Sequence, residues 1–220
     1  MTLIEEMKKN VTPQYSENEE RLNILTHGFG LLLSIIGFPF LIYKSFDFEG
    51  FWKPLSLVIY GFSLIVLYAA STFYHAAKDP KLRRKLNVFD HAAIYVLIAG
   101  SYTPYTLIIL QGSIGWIIFC FTWLFALTGI ILKLFYTGRF DKLSTIMYVL
   151  MGWQIVFAIK PLIKNLATEG LQLLFTGGVF YTIGAIIYSI KKIKFNHAIF
   201  HVFVLLGSLC HYASIYLYII

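Results

Sequence analysis

"NHAIFHVFVLLGSLCHYASIYLYI", residues 196–219, holds no Asp, Glu, Lys or Arg in 24 positions. As a helix rising about 1.5 Å per residue it reaches about 36 Å. That exceeds the roughly 30 Å hydrocarbon core of a bilayer. Its polar residues therefore stand out. His197 and His201 are four apart, which places both imidazoles on one helix face.

The same apolar character recurs upstream. Runs at 24–43, 55–77, 88–110, 113–135, 143–163 and 171–190 join 196–219 to make seven spans. None alternates with the period of two that a membrane barrel requires. Composition agrees, with 58% hydrophobic residues, 13% charged and a mean hydropathy of +0.72. Soluble domains are far more polar. The sequence thus predicts an all-α membrane protein, a seven-transmembrane helix bundle. Residues 1–22 form a polar N-terminal segment and 23–220 the membrane domain. That segment has no apolar stretch of its own, so the first span is expected to act as the insertion signal. Loops are short, so sequence neighbours are expected to pack together. Pro39 and Pro104 predict kinks inside spans. "QGSIG", 111–115, predicts a tight turn. Cys120 and Cys210 lie within spans and are expected to be small buried residues with no disulfide. No internal repeat is visible and the helix number is odd, which argues against a transporter built by duplication.

The net charge of +7 resides in the loops. Lys8, Lys9 and Arg21 precede the first span. Five more lie in "KDPKLRRK", 78–85. Lys133, Arg139 and Lys142 flank the fourth loop, and Lys191, Lys192 and Lys194 the sixth. These fourteen fall on one side, against Lys44, Lys53, Lys160 and Lys164 on the other. The positive-inside rule then predicts a cytoplasmic N-terminus and an external C-terminus. It also explains the charge without a nucleic-acid partner, and leaves membrane lipids as the surroundings.

That topology carries a second consequence. His75 ends the second span, Asp90 begins the third, and His197 and His201 begin the seventh, all at the cytoplasmic depth. Ser71 precedes His75 by one turn and shares its face. Two imidazoles one turn apart can grip one metal ion, and His75 offers a third nitrogen. Three protein ligands with an open position describe a catalytic zinc more than a closed structural one. Neutral imidazole also suits copper, iron or nickel. Asp90 is the one acidic residue in any predicted span, a costly placement unless paired or linked to metal. It is a candidate metal partner or general base, and Ser71 a candidate hydrogen-bond donor to water or to a carbonyl oxygen. Each residue also has a purely structural alternative. A membrane histidine can tie helices together, Ser71 can bond back to its own helix, and Asn87 and Asp90 in "NVFD" can cap the third helix.

Three motifs occur in order. "EERLNILTHGFG" contains E-x2-N-x3-H through Glu20, Asn23 and His27. "STFYHA" contains S-x3-H through Ser71 and His75, with Asp90 following, and "NHAIFHVF" supplies H-x3-H. In these motifs the chain resembles the hemolysin III family, the bacterial branch of the progestin and adipoQ receptor superfamily, over residues 20–220. The resemblance implies a multi-pass protein of the bacterial plasma membrane with a zinc site near the inner face. It implies His75, His197 and His201 as zinc ligands, Asp90 as a partner through water, and Ser71 as a neighbour. It leaves Glu20, Asn23 and His27 as structural groups or as groups behind the ligands. His91 and His211 fall outside the motifs; His211 is expected to bond between helices.

Site and resemblance together favour a zinc-dependent hydrolase of lipid amide or ester bonds, active in membrane lipid homeostasis. The superfamily's likeness to alkaline ceramidases points the same way by analogy. Two other classes remain open: a non-enzymatic sensor or receptor with a structural zinc, and a cytolysin, which the family name implies but no sequence feature supports.

Overall fold

Every predicted span is helical in the computed structural model, which describes residues 13, 15–110, 112–136 and 141–219. Lys8, Lys9, Gln111, Arg139 and the side chain of Lys142 lie outside what is described, as does most of the 1–22 segment. The helices are α1 (Glu17–Ser45), α2 (Trp52–Ala76), α3 (Pro80–Pro104, prolonged by a π-helical stretch Tyr105–Leu110), α4 (Gly112–Tyr136), α5 (Asp141–Trp153), α6 (Ile159–Asn165), α7 (Thr168–Ser189) and α8 (Asn196–Tyr218). Seven segments among the described residues are long and apolar enough to cross a membrane, with α5 and α6 sharing one.

Two helices start well before their apolar runs. At α1, Ser16 Oγ accepts from the Glu19 N–H at 3.3 Å, and Glu17, Glu19 and Glu20 fill the first turn. Both features suit the positive end of a helix. At α3, Asp79 Oδ1 accepts from the Leu82 N–H at 2.8 Å and Pro80 takes the first helical position. Most of the stretch read as the second loop is therefore helix. Asn87 and Asp90 sit in the interior of α3 and cap nothing, so that alternative is corrected.

The fifth span is broken, which the sequence reading missed. A 3-10 turn, Gln154–Ala158, separates α5 from α6. The Tyr102 hydroxyl repairs the break, accepting from the Ile155 N–H and donating to the Gly152 carbonyl, each at 2.8 Å. Irregular backbone at membrane depth survives where protein groups satisfy it. Pro104 passes into the π-helical stretch, the kind of disturbance expected of it.

The helices close a ring in which α1 packs on α2 and α8, α2 on α3, α3 on α5, α5 on α7, and α7 on α8. The fourth helix, α4, packs against the outside of α3. This makes α3 the most enclosed span, with 78% of its apolar window buried against 22% for α1. Outward faces are apolar, as Phe29, Leu32, Ile36 and Phe40 of α1 show. An exterior of that kind belongs in lipid. Close approach between α1 and α2 depends on Gly30, where a Cβ would lie 2.5 Å from the Tyr68 ring. Burial of the cysteines is not observed: Cys120 is exposed, Cys210 is half-buried, and both thiols are free.

Candidate metal centre

The last turn of α2 and the first turns of α8 meet at one end of the ring. His75 Nε2 lies 3.1 Å from His197 Nε2, which lies 3.0 Å from His201 Nε2. All three side chains are buried, and one donor atom from each falls within 4.8 Å of the others. The turn that starts α8 is held by Asn196, whose amide donates to the Tyr188 carbonyl at 2.8 Å. It also contains Phe195 at φ 59°, a left-handed conformation unusual for a residue with a side chain.

The far sides of the rings decide what the near sides present. Glu20 Oε2 accepts from His75 Nδ1 at 2.6 Å. Thr26 Oγ1 spends its proton on the Leu22 and Asn23 carbonyls, at 2.8 and 3.1 Å. At 3.4 Å from His201 Nδ1 it can therefore only accept. Both histidines thus carry their proton on Nδ1 and turn an Nε2 lone pair toward His197. A single proton on His197 Nε2 cannot properly serve two acceptors. Placing that proton on Nδ1 instead leaves three lone pairs facing one another. A cation resolves the conflict, and a carboxylate behind a ligating imidazole is the usual device for raising its basicity. The residues present therefore fit a metal ion.

The model of one family, described as haemolysin-III related, matches residues 15–212. The chain belongs to that family. Hemolysin-3 of Bacillus cereus is 43% identical over 202 residues, covering 92% of each chain. The Hemolysin-3 homolog of Bacillus subtilis (strain 168) is 43% identical over 204 residues, covering 93% of this chain and 96% of its own. The human Monocyte to macrophage differentiation factor is 31% identical over 207 residues, covering 91% and 84%.

In this haemolysin III chain the first motif lies against the other two. Glu20 contacts His75, as just described. The Asn23 amide nitrogen stands 3.3 Å from His75 Nδ1. His27 stacks flat on His201, ring centres 3.5 Å apart and planes 8° apart, and meets Tyr68 edge-on at 5.1 Å. Neither His27 nitrogen has a hydrogen-bond partner among the described residues. Asp90 is buried on α3, with His91 Nδ1 at 4.0 Å from its carboxylate. Ser71 Oγ makes no bond back to its helix, unlike Thr72, which donates to the Tyr68 carbonyl at 2.6 Å. Asp90 is the polar neighbour of Ser71 and of His75. The structure thus gathers all eight residues singled out in the sequence at one end of the bundle.

Two further residues belong there. Arg83 donates to Glu20 Oε1, and its other terminal nitrogen donates to the carbonyls of Tyr74 and His75 at 3.3 and 3.4 Å. Its guanidinium sits 4.7 Å from the Tyr74 ring centre. Read as a loop charge, Arg83 went unnoticed; Asp79–Pro80, a helix-start signal, would have placed it on α3. Tyr15 stacks on His197, centres 4.6 Å and planes 22° apart. Loss of solvent around this ring, with Tyr188 and Tyr74 close by, raises its phenol well above the usual value and keeps it neutral.

On its other side the centre opens into a cavity of about 140 Å³. His27, Asp90, His197 and His201 line one end, and Tyr105, Leu174 and His211 the other. Its walls come from α3, α5, α7 and α8 and are mainly apolar.

Proposed function

We propose that this haemolysin III protein is a zinc-dependent hydrolase of lipid amide or ester bonds, seated in the bacterial plasma membrane with its centre near the inner face. The observation that carries the proposal is three converging imidazole Nε2 atoms and a buried carboxylate lining an apolar chamber. Lysines and arginines support the orientation, since Lys78 to Lys85 and Lys191 to Lys194 cluster at this same end.

His75, His197 and His201 would hold the zinc, which when bound would supply Lewis acidity toward water and a carbonyl. The chain provides the rest. Asp90, buried beside the ligands, accepts the proton that water gives up and returns it to the leaving group. Ser71 donates a hydrogen bond that keeps the Asp90 carboxylate aimed. The chamber takes the acyl chain and excludes bulk water, while Glu20 and Thr26 hold the ligand rings. A lipid substrate fits because its chain can enter sideways between helices.

Protein reconstituted with a panel of ceramides, N-acyl lipids and ester lipids tests the reading. The expected result is about one zinc per chain and zinc-dependent product release. His75→Ala should lose both, whereas Asp90→Asn should keep the metal and lose turnover. Zinc binding without turnover across the panel would favour the second reading, a structural clasp in a sensor. One observation supports that alternative: Glu20, His75 and Arg83 already tie α1, α2 and α3 together.

A further inference from the structure

We infer that Tyr15 is the positioning residue for His197 and the cover that separates the metal centre from the water-facing end of the bundle. The inference rests on the metal reading above. It starts from an asymmetry among the three ligands. His75 is oriented by Glu20 and His201 by Thr26, each through Nδ1. His197 Nδ1 is buried and has no hydrogen-bond partner among the described residues. Ligating imidazoles are normally fixed by such a bond, and losing it costs tenfold to a hundredfold in metal affinity. Something else must hold this ring.

Three aromatic side chains outside the ligand set meet the His197 ring. Tyr188 and Phe200 meet His197 at 5.5 and 6.0 Å, tilted by 56° and 46°. His27 stacks on His201 instead. Among the described residues Tyr15 alone lies nearly parallel to His197 at stacking distance. Its ring also reaches His75, at 5.7 Å between centres. Tyr15 therefore spans the junction of α2 and α8 from outside.

Its placement is built into the start of α1. Ser16 caps the helix, and its carbonyl accepts from the Glu20 N–H at 2.9 Å. The same turn aims Glu20 at His75. One helix start thus delivers a carboxylate to one ligand and, from the residue just ahead of the cap, a ring to another. His197 is left between Tyr15 on one side and the apolar chamber on the other. A hydrated cation entering or leaving from the water side must displace Tyr15, whereas an apolar molecule in the chamber need not.

The test compares Tyr15→Ala, Tyr15→Leu and Tyr15→Phe in the full-length reconstituted protein. The first readout is the rate at which zinc is lost to a chelator. The second is modification of His197 by diethyl pyrocarbonate in metal-free protein, mapped by mass spectrometry. Tyr15→Ala should release zinc tenfold to a hundredfold faster and modify His197 about as much faster. Tyr15→Phe, which keeps the flat ring, should match the parent in both. Tyr15→Leu, which keeps bulk alone, should release zinc like Tyr15→Ala. Retention by the leucine variant equal to that of phenylalanine overturns positioning by the ring. An alanine variant indistinguishable from the parent overturns the inference entirely. A parent protein that binds no zinc instead refutes the metal reading, and the modification rates then decide alone whether Tyr15 covers His197.

Discussion

The two halves of α8 carry the same kinds of residue and use them in opposite ways. In its first two turns His197 and His201 turn their Nε2 atoms toward one another and toward His75. Further along, Ser208, His211 and Ser214 each bond to groups on other helices. His211 donates to the Leu174 carbonyl at 3.1 Å. Ser208 accepts from Tyr68 at 2.8 Å and meets the Tyr181 hydroxyl at 2.9 Å. Ser214 accepts from Tyr105 at 2.8 Å and donates to the Gly170 carbonyl at 2.7 Å. Polarity inside a membrane helix is therefore not a functional signal by itself. What distinguishes the two halves is what the imidazoles face: other imidazoles at the start of α8, and a backbone carbonyl of α7 further along.

The sharpest way to break this contrast is to exchange the fates of two histidines. His201→Ala should abolish zinc binding, taking metal analysis from about one ion per chain to none, because two imidazoles do not hold zinc against solution chelators. His211→Ala should leave the metal content unchanged. Were His211→Ala to lose zinc as well, the division of α8 into a binding half and a packing half would fail.

Glu20→Gln probes the same contrast from behind the ligands. The amide can still accept from His75 Nδ1, but it lacks the carboxylate's charge. Zinc affinity should fall tenfold to a hundredfold, read by competition with a chelator of known affinity. The bond to Arg83 weakens too, so thermal stability of the metal-free protein should drop slightly. An unchanged affinity would mean that Glu20 serves only to join α1 to α3.

How much of this was readable beforehand follows from where each interaction originates. Seven spans were legible because each is an apolar run of about twenty residues or more, long enough to cross the hydrocarbon core. The break at Gln154–Ala158 was not, since its repair comes from Tyr102, some fifty residues away. The early start of α3 was written in Asp79–Pro80 but hidden by the charges after it, which hydropathy scores as loop. His197 and His201 were visible as a pair from their spacing alone, and His75 joined them once topology set its depth. Arg83 and Tyr15 reach the centre through tertiary packing that no local pattern announces. Cys120 was misjudged because an apolar helix in lipid has no obligation to bury its small residues, and its outer face suits them as well.

Within the packing half, His211→Ala should have the next largest effect, now on stability. It removes the bond to the Leu174 carbonyl and empties the space that Gly177 leaves for the imidazole, which a Cβ at that position would invade. Side-chain hydrogen bonds between membrane helices average about 0.6 kcal/mol and reach about 1.7 kcal/mol. The loss of ring volume adds to that. A fall of about 2 kcal/mol is expected in a reversible unfolding assay in detergent, with zinc content as in the parent.

Ser208→Ala should have the smallest effect and is the most discriminating. Its hydroxyl joins Tyr68 to Tyr181, and Tyr68 meets His27 edge-on, which in turn lies flat against His201. A continuous line of contacts therefore runs from the packing half of α8 to the histidine cluster. If the halves are energetically separate, removing the Ser208 hydroxyl costs about 0.6 kcal/mol of stability and leaves zinc affinity within twofold of the parent, since Tyr68 is also held in place by the groove at Gly30. If zinc affinity instead falls several-fold, the Tyr68–His27 contact transmits strain to His201. The stacked His27 would then have to be counted among the groups that position the ligands rather than among those that only fill the core.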